Sequence, residues 1–173
     1  MRTSRWRWLR AVVVILGALV LQVSLVADLR VAGALGDLML VLVVAAAISG
    51  GPERGAVWGL AAGIAYDLML DSPFGLSALT YALVGYAVGL AAVTIGRTSG
   101  WWPVLLAALA GMVQAVLYTI IGNLVGVAYN FGDVPAIALV QAAWCALLVL
   151  PALRVLWWVH GQPEPDRLEV VLR

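Results

Sequence analysis

The stretch that decides the fold is residues 50–89, GGPERGAVWGLAAGIAYDLMLDSPFGLSALTYALVGYAVG. Gly55, Gly59 and Gly63 stand four residues apart, and Asp67 and Asp71 continue the same interval. Because residues four apart share one face of a helix, the pattern predicts a helix with glycines along one end and two carboxylates at the other. Small residues at this spacing let membrane helices approach each other closely. The stretch therefore predicts tight helix packing within a lipid bilayer.

The composition of the whole chain indicates a polytopic membrane protein. Of the 173 residues, 64% are hydrophobic and 11% are charged, and the mean hydropathy is +1.04. A soluble domain is about 45–50% apolar and about 25% charged. The net charge of +1 offers no basic surface for nucleic acid, and one cysteine with one histidine cannot form a metal cluster. We therefore expect no cofactor and no nucleic-acid partner.

Six apolar segments follow one another along the chain, and they predict an all-α, polytopic membrane bundle of about six transmembrane helices. The segments are residues 9–27, 38–49, 55–70, 76–95, 103–127 and 135–159. The second and third are shorter than the about 20 residues that a membrane span needs. Tilted spans, a re-entrant pair and a five-span chain therefore remain alternatives. The predicted organisation is a basic segment at 1–8, a transmembrane domain at 9–159 and a polar tail at 160–173.

The arginines predict which way the chain crosses the membrane. With six spans and the N-terminus inside, eight of the ten arginines lie on the cytoplasmic side, and Arg30 alone lies outside. This distribution follows the rule that cytoplasmic loops carry the excess of basic residues. Seven of the eight tryptophans, all except Trp144, fall near the same interface. We therefore expect both termini to be cytoplasmic and the aspartates at 28, 37, 67, 71 and 133 to lie at or near the outer face.

Several residues in this frame are candidates for function. A carboxylate inside a membrane span is costly, so Asp67 should be held by structural hydrogen bonds or should contact a partner or ligand. Asp71 is expected to cap the turn that contains Ser72 and Pro73. The glycine stripe serves either packing within the bundle or contact with another protein. The segment from Gly51 to Gly55 predicts a tight turn, since proline is tolerated in the first turn of a helix.

The ordered string Gly51-Pro52-Glu53-Arg54-Gly55, Gly59, Gly63, Asp67, Pro73-Phe74-Gly75, Ala78-Leu79, Gly85-Tyr86 and Gly89 resembles the rod shape-determining protein MreD family of bacteria. The pair Asp37-Leu38 also fits. The Gly-Pro-x-x-Gly turn and the in-span aspartate of that family correspond to Gly51, Pro52, Gly55 and Asp67. The residues expected to serve partner binding or helix packing are Gly51, Pro52, Gly55, Gly59, Gly63, Asp67, Asp71, Gly75, Gly85, Tyr86 and Gly89.

The resemblance implies a non-enzymatic scaffold in the bacterial inner membrane that takes part in elongation of the lateral cell wall. The partners it implies are the bitopic protein MreC, the glycosyltransferase RodA and its class B penicillin-binding protein, besides membrane lipid. It also implies a six-helix fold like that of the substrate-binding S component of energy-coupling-factor vitamin transporters.

Two other functions compete with the scaffold. An S-component-like protein that binds or transports a small molecule needs a cavity with convergent polar groups, which Gln114, Tyr118, Asn123 and Gln141 could supply. An intramembrane aspartyl protease needs two carboxylates that share a proton, which Asp37 and Asp67 could supply. The usual Gly-x-Gly-Asp pattern of such proteases is absent around Asp37, because residue 34 is alanine.

Overall fold

The computed structural model describes residues 2–22, 24, 36–69, 74–95 and 101–160 of the chain. Within these ranges each of the six predicted segments forms a helix and no strand occurs, so the predicted all-α membrane bundle is confirmed. The helices are α1 (Arg2–Leu21), α2 (Leu38–Gly50), α3 (Pro52–Asp67), α4 (Leu76–Ile95), α5 (Trp102–Leu124) and α6 (Val134–His160). Asp71, Pro73 and the predicted tail from residue 161 onward lie outside the described residues.

Three of the helices are long and apolar enough to cross a membrane. They comprise α4, α5 and the stretch Phe131–Val159, which includes a short 3-10 turn (Phe131–Asp133) before α6. The apolar parts of α1 (Leu9–Leu21) and α2 are shorter. Helix α1 already begins at Arg2, so residues 2–8 of the predicted basic segment are helical.

Helix α2 forms the centre of the bundle. All nine residues from Met39 to Ala47 are buried, and α2 contacts each of the other five helices. A helix that is apolar on every side is typical of such an enclosed position. Its 13 residues span only about 20 Å at 1.5 Å per residue. The second apolar segment is therefore short because neighbouring helices, rather than lipid, surround it.

The other helices pack around α2 largely as antiparallel pairs. Helix α3 packs most extensively on α4, and α5 packs on α6. In the second pair, a Cβ atom added to Gly111 would lie 2.7 Å from the carbonyl oxygen of Gln141, so the α5 and α6 backbones nearly touch there. Helix α1 makes far fewer contacts, which are shared among α2, α3 and α6. It is the least tightly held helix of the described chain.

Candidate functional site

A buried carboxylate, Asp37, connects the start of α2 to α4. Asp37 is the N-cap of α2, and its Oδ1 accepts a hydrogen bond from the backbone N–H of Leu40 at 3.0 Å. Its Oδ2 accepts a hydrogen bond from the hydroxyl of Tyr81 on α4. A carboxylate at this position satisfies a free N–H group and complements the helix dipole. The pair therefore couples the start of α2 to the second turn of α4.

Gln22 and Trp144 complete the Asp37 cluster from two further helices. The Gln22 side chain, just beyond α1, donates to the carbonyl oxygen of Gly36 at 2.6 Å and accepts from the backbone N–H of Leu38 at 2.8 Å. The indole ring of Trp144 on α6 lies so close to Gly36 that an added Cβ would come within 2.6 Å of it. Residue 36 must therefore be glycine unless Trp144 moves.

Asp67 caps a different helix. It ends α3, is only 3% exposed, and accepts backbone hydrogen bonds from Gly75 at 2.9 Å and from Ser77 and Ala78 at 3.2 Å. These N–H groups belong to the first turn of α4 and to the residue before it, so the carboxylate holds the α3–α4 connection closed. Gly75 has a φ of +97°, a conformation that glycine adopts without strain. Asp37 and Asp67 thus have separate sets of donors, unlike two protease carboxylates that share one proton.

The glycine stripe of α3 faces α4 rather than open bilayer. A Cβ added to Gly55, Gly59 or Gly63 would overlap, in turn, the carbonyl oxygen of Gly85, that of Tyr81, and the backbone of Ala78. From the other side, a Cβ on Gly89 would overlap Pro52 in the turn that begins α3. Gly51 opens that turn with a φ of +83°, and its N–H donates to Ala47 of α2 at 2.8 Å. A partner protein must therefore bind elsewhere than on the glycine face.

Tyr86 is the one predicted site residue within the described ranges that faces clearly away from the bundle. It belongs to what we call the outer stripe of α4, whose members follow 4-3-4-3 spacing and are all 45–69% exposed. The members of the outer stripe are Leu79, Leu83, Tyr86, Leu90 and Val93. Tyr86 lies ten residues after Leu76 and nine before Ile95, about 14–15 Å from either helix end.

A second set of polar side chains lies inside the bundle between α4 and α5. Gln114 is 1% exposed, and its Nε2 donates to the hydroxyl of Thr80 at 3.0 Å. The Oε1 of Gln114 and the hydroxyl of Ser77 are buried without a hydrogen-bond partner, and so is the Oε1 of Gln141. Buried polar atoms of this kind are uncommon and call for an explanation such as a water or ligand.

Two other polar residues of the predicted cavity have structural roles. Asn123 Nδ2 donates to the carbonyl oxygens of Thr119 at 2.8 Å and Tyr129 at 3.3 Å. The rings of Tyr118 and Tyr129 lie 5.6 Å apart between centroids. These contacts fold the segment after α5 back onto the helix.

The family model described as rod shape-determining protein MreD matches residues 2–157, which is nearly the whole chain. The chain belongs to the MreD family. Membership of the MreD family indicates a role in determining rod shape, and the apolar helices agree with a membrane protein. No curated protein and no solved structure matches the chain, so the likeness to S components stays a prediction.

The structure separates the predicted MreD-family residues into three groups. Seven of them form the α3–α4 packing face: Gly51, Pro52, Gly55, Gly59, Gly63, Gly85 and Gly89. Asp67 and Gly75 meet at the start of α4, Tyr86 faces outward, and Asp71 lies outside the described residues. Sequence reasoning missed the joint role of Gln22, Gly36 and Tyr81 around Asp37. The only local signal was a glycine directly before an aspartate at a helix start.

Proposed function

We propose that this chain is a non-enzymatic scaffold of the bacterial inner membrane that binds an MreC-like bitopic protein and, through it or beside it, the RodA glycosyltransferase and its class B penicillin-binding protein. Family membership supports the role in rod shape, and the arginine distribution supports cytoplasmic N- and C-termini. The observation that carries the partner assignment is the outward position of Tyr86.

A tyrosine at this position is costly for a helix that faces only lipid. The hydrocarbon core offers no acceptor for a phenolic hydroxyl, and an unpaired buried hydroxyl costs about 1–3 kcal/mol. Tyr86 lies too near the middle of α4 for its side chain to reach either membrane interface. A second transmembrane helix with a polar group or a free carbonyl at the same depth would remove this cost. Polar contacts of this type hold membrane helices together.

The outer stripe also has the shape that a single partner helix requires. Its 4-3-4-3 spacing is that of helices that pack side by side with interlocking side chains. A neighbouring face of α4 carries Gly85 and Gly89 and is occupied by α3. The glycine packing therefore fixes α4 in the bundle and leaves the outer stripe free for a bitopic protein, which has one membrane helix to offer.

The test is binding of the full chain to its MreC-like partner in lipid nanodiscs. Tyr86→Phe removes only the hydroxyl and should weaken binding about 3- to 15-fold, the range expected for about 0.6–1.7 kcal/mol from one interhelical hydrogen bond. Leu83→Ala should also weaken binding. Leu109→Ala on α5 is the matched control, because Leu109 is 49% exposed and Leu83 is 47% exposed. Equal affinity for wild type, Tyr86→Phe and Leu83→Ala would contradict this surface.

A second candidate function, binding of a small polar molecule, is favoured by the unpartnered atoms of Ser77, Gln114 and Gln141. Such a ligand would supply a donor to the amide oxygens and either a donor or an acceptor to the serine hydroxyl. Mass spectrometry of the purified chain after gentle denaturation would release and identify it. A ligand present in wild type and lost from Gln114→Leu, with the MreC-like partner still bound, would favour this function over the scaffold alone.

A further inference from the structure

An apolar groove lies on the side of the bundle where α1 stands away from α2 and α6. It has a volume of about 400 Å³ and is lined by hydrocarbon side chains from these three helices. Gly17 lies on its α1 wall, and a Cβ added there would meet no atom within 4 Å. The small side chains of Gly17, Ala18 and Ala152 leave space between the walls. The groove is thus an unfilled space that opens toward the bilayer and does not involve the outer stripe of α4.

One end of this groove carries a positive charge. Arg10 lies on the same face of α1 as Val14, one turn before it, and Val14 belongs to the groove lining. On α6, Trp158 follows the lining residue Val155 by about one turn. The Arg10 guanidinium carbon lies 5.0 Å from the Trp158 ring centroid, and Nη1 donates to the Trp158 carbonyl oxygen at 3.3 Å. Both contacts are with an uncharged residue, and among the residues that the structure describes Arg10 has no counter-ion.

We propose that the groove holds one acyl chain of an anionic phospholipid whose phosphate is bound by Arg10. The hydrocarbon lining matches an acyl chain, and the guanidinium has four further N–H donors for phosphate oxygens. Arginine and tryptophan near a helix end lie at the depth of the lipid headgroups. The groove therefore has a positive charge at one end and an apolar lining beyond it. A phospholipid presents its phosphate and its acyl chain in the same order.

The Arg10–Trp158 contact favours a lipid over a partner helix. This contact joins α1 to α6 across the end of the groove. A transmembrane helix that filled the groove would have to continue past that end into the headgroup region. An acyl chain has no such requirement, because it ends at a headgroup beside Arg10. The lipid would occupy the groove between α1 and its neighbours. This groove is the reason why α1 is the least tightly packed helix.

The experiment uses the full chain in nanodiscs that contain equal amounts of phosphatidylglycerol and phosphatidylcholine, followed by native mass spectrometry of the released protein. We expect wild type to retain one phospholipid, with phosphatidylglycerol favoured about five-fold, the factor for one arginine near an anionic membrane surface. Both lipids carry a phosphate, but the ammonium group of phosphatidylcholine neutralises its charge. Arg10→Gln should abolish this preference, and Arg10→Lys should keep most of it. No preference in wild type would overturn the assignment of an anionic phospholipid to Arg10.

Two variants fill the groove from different helices, so a folding defect in one does not decide the test. Gly17→Phe and Ala152→Leu should each lower the retained lipid at least ten-fold, with unchanged helical circular dichroism. Leu16→Phe is the matched control, since Leu16 is 52% exposed on the outer side of α1 and lies outside the groove lining. Retention of phosphatidylglycerol at the wild-type level by both filled variants would overturn the proposal. Cross-linking of Gly17→Cys to a polypeptide instead of a lipid would do the same.

Discussion

Replacement of Asp67 measures how much the start of α4 depends on one carboxylate. Its two oxygens accept three backbone hydrogen bonds of 2.9–3.2 Å, and the residue is 3% exposed. Loss of an N-cap alone costs about 0.5–2 kcal/mol, and each buried donor left without an acceptor costs about 1–3 kcal/mol. Water can reach the partly buried N–H of Gly75. We therefore expect Asp67→Ala to lower the free energy of unfolding by about 3–5 kcal/mol, near the upper limit for single substitutions.

Asp67→Asn removes the charge of the side chain but keeps part of its hydrogen bonding. The amide keeps one oxygen acceptor, but its NH₂ group faces backbone N–H donors and cannot accept from them. The favourable interaction between the carboxylate and the helix dipole, about 0.3–1 kcal/mol at exposed sites and up to about 2 kcal/mol when partly buried, is also lost. We expect a loss of about 1.5–2.5 kcal/mol, between wild type and Asp67→Ala.

The measurement is reversible unfolding of the full chain in mixed detergent micelles, followed by helical circular dichroism. Asp133→Ala is the control, because Asp133 is exposed and its Oδ2 accepts a hydrogen bond from Asn130 at 3.2 Å. An exposed site of this kind should change stability by less than about 0.5 kcal/mol. If Asp67→Ala and Asp133→Ala differ by less than that amount, the capping role assigned to Asp67 is refuted.

Two further predictions test the glycine packing and the orientation. Gly59→Ala should lower the free energy of unfolding by at least about 1–3 kcal/mol, as overpacking does, because the new Cβ would overlap the Tyr81 carbonyl. Gly17→Ala has open space and should instead raise it by up to about 1 kcal/mol, because alanine is the better helix former. Equal effects in the same unfolding assay would contradict the packing argument. The second prediction uses Cys145→Ser as the background and introduces one cysteine at a time, at the exposed positions of Glu53 and Phe74. An impermeant maleimide should label these two cysteines from opposite sides of the membrane. Labelling of both from one side would disprove the predicted topology.

The number and approximate limits of the helices could be predicted because hydropathy acts locally. Each apolar segment must satisfy its own backbone hydrogen bonds in lipid, and a helix does this without reference to other segments. The structure begins α3 at Pro52 rather than at residue 55, because Gly51 with positive φ ends α2 and allows an immediate reversal. The 13 residues of α2 are fewer than a membrane span needs, and the sequence alone does not explain this short length. The structure explains the short length, because five helices surround α2. The segment itself does not show that other helices will surround it.

The role of each candidate residue was less accessible than the helices. Gly55 and Tyr86 both belong to the family string, yet one packs against a backbone and the other faces outward. Their helical faces follow from the sequence, but which face meets a neighbour depends on how α3 and α4 are placed. The partners of Asp37 show the same limit, since Tyr81 is 44 residues away in the chain.

The class of protein, the six helices and the family follow from composition, apolar runs and short motifs, because these carry their information within a few residues of chain. Three features depend on how the helices pack together: α4 covers the glycine face, Asp37 and Asp67 hold separate helix starts, and an apolar groove opens beside α1. Each of these features requires atoms from helices far apart in sequence to meet. No local pattern specifies such a meeting, because it results from the packing of the whole bundle.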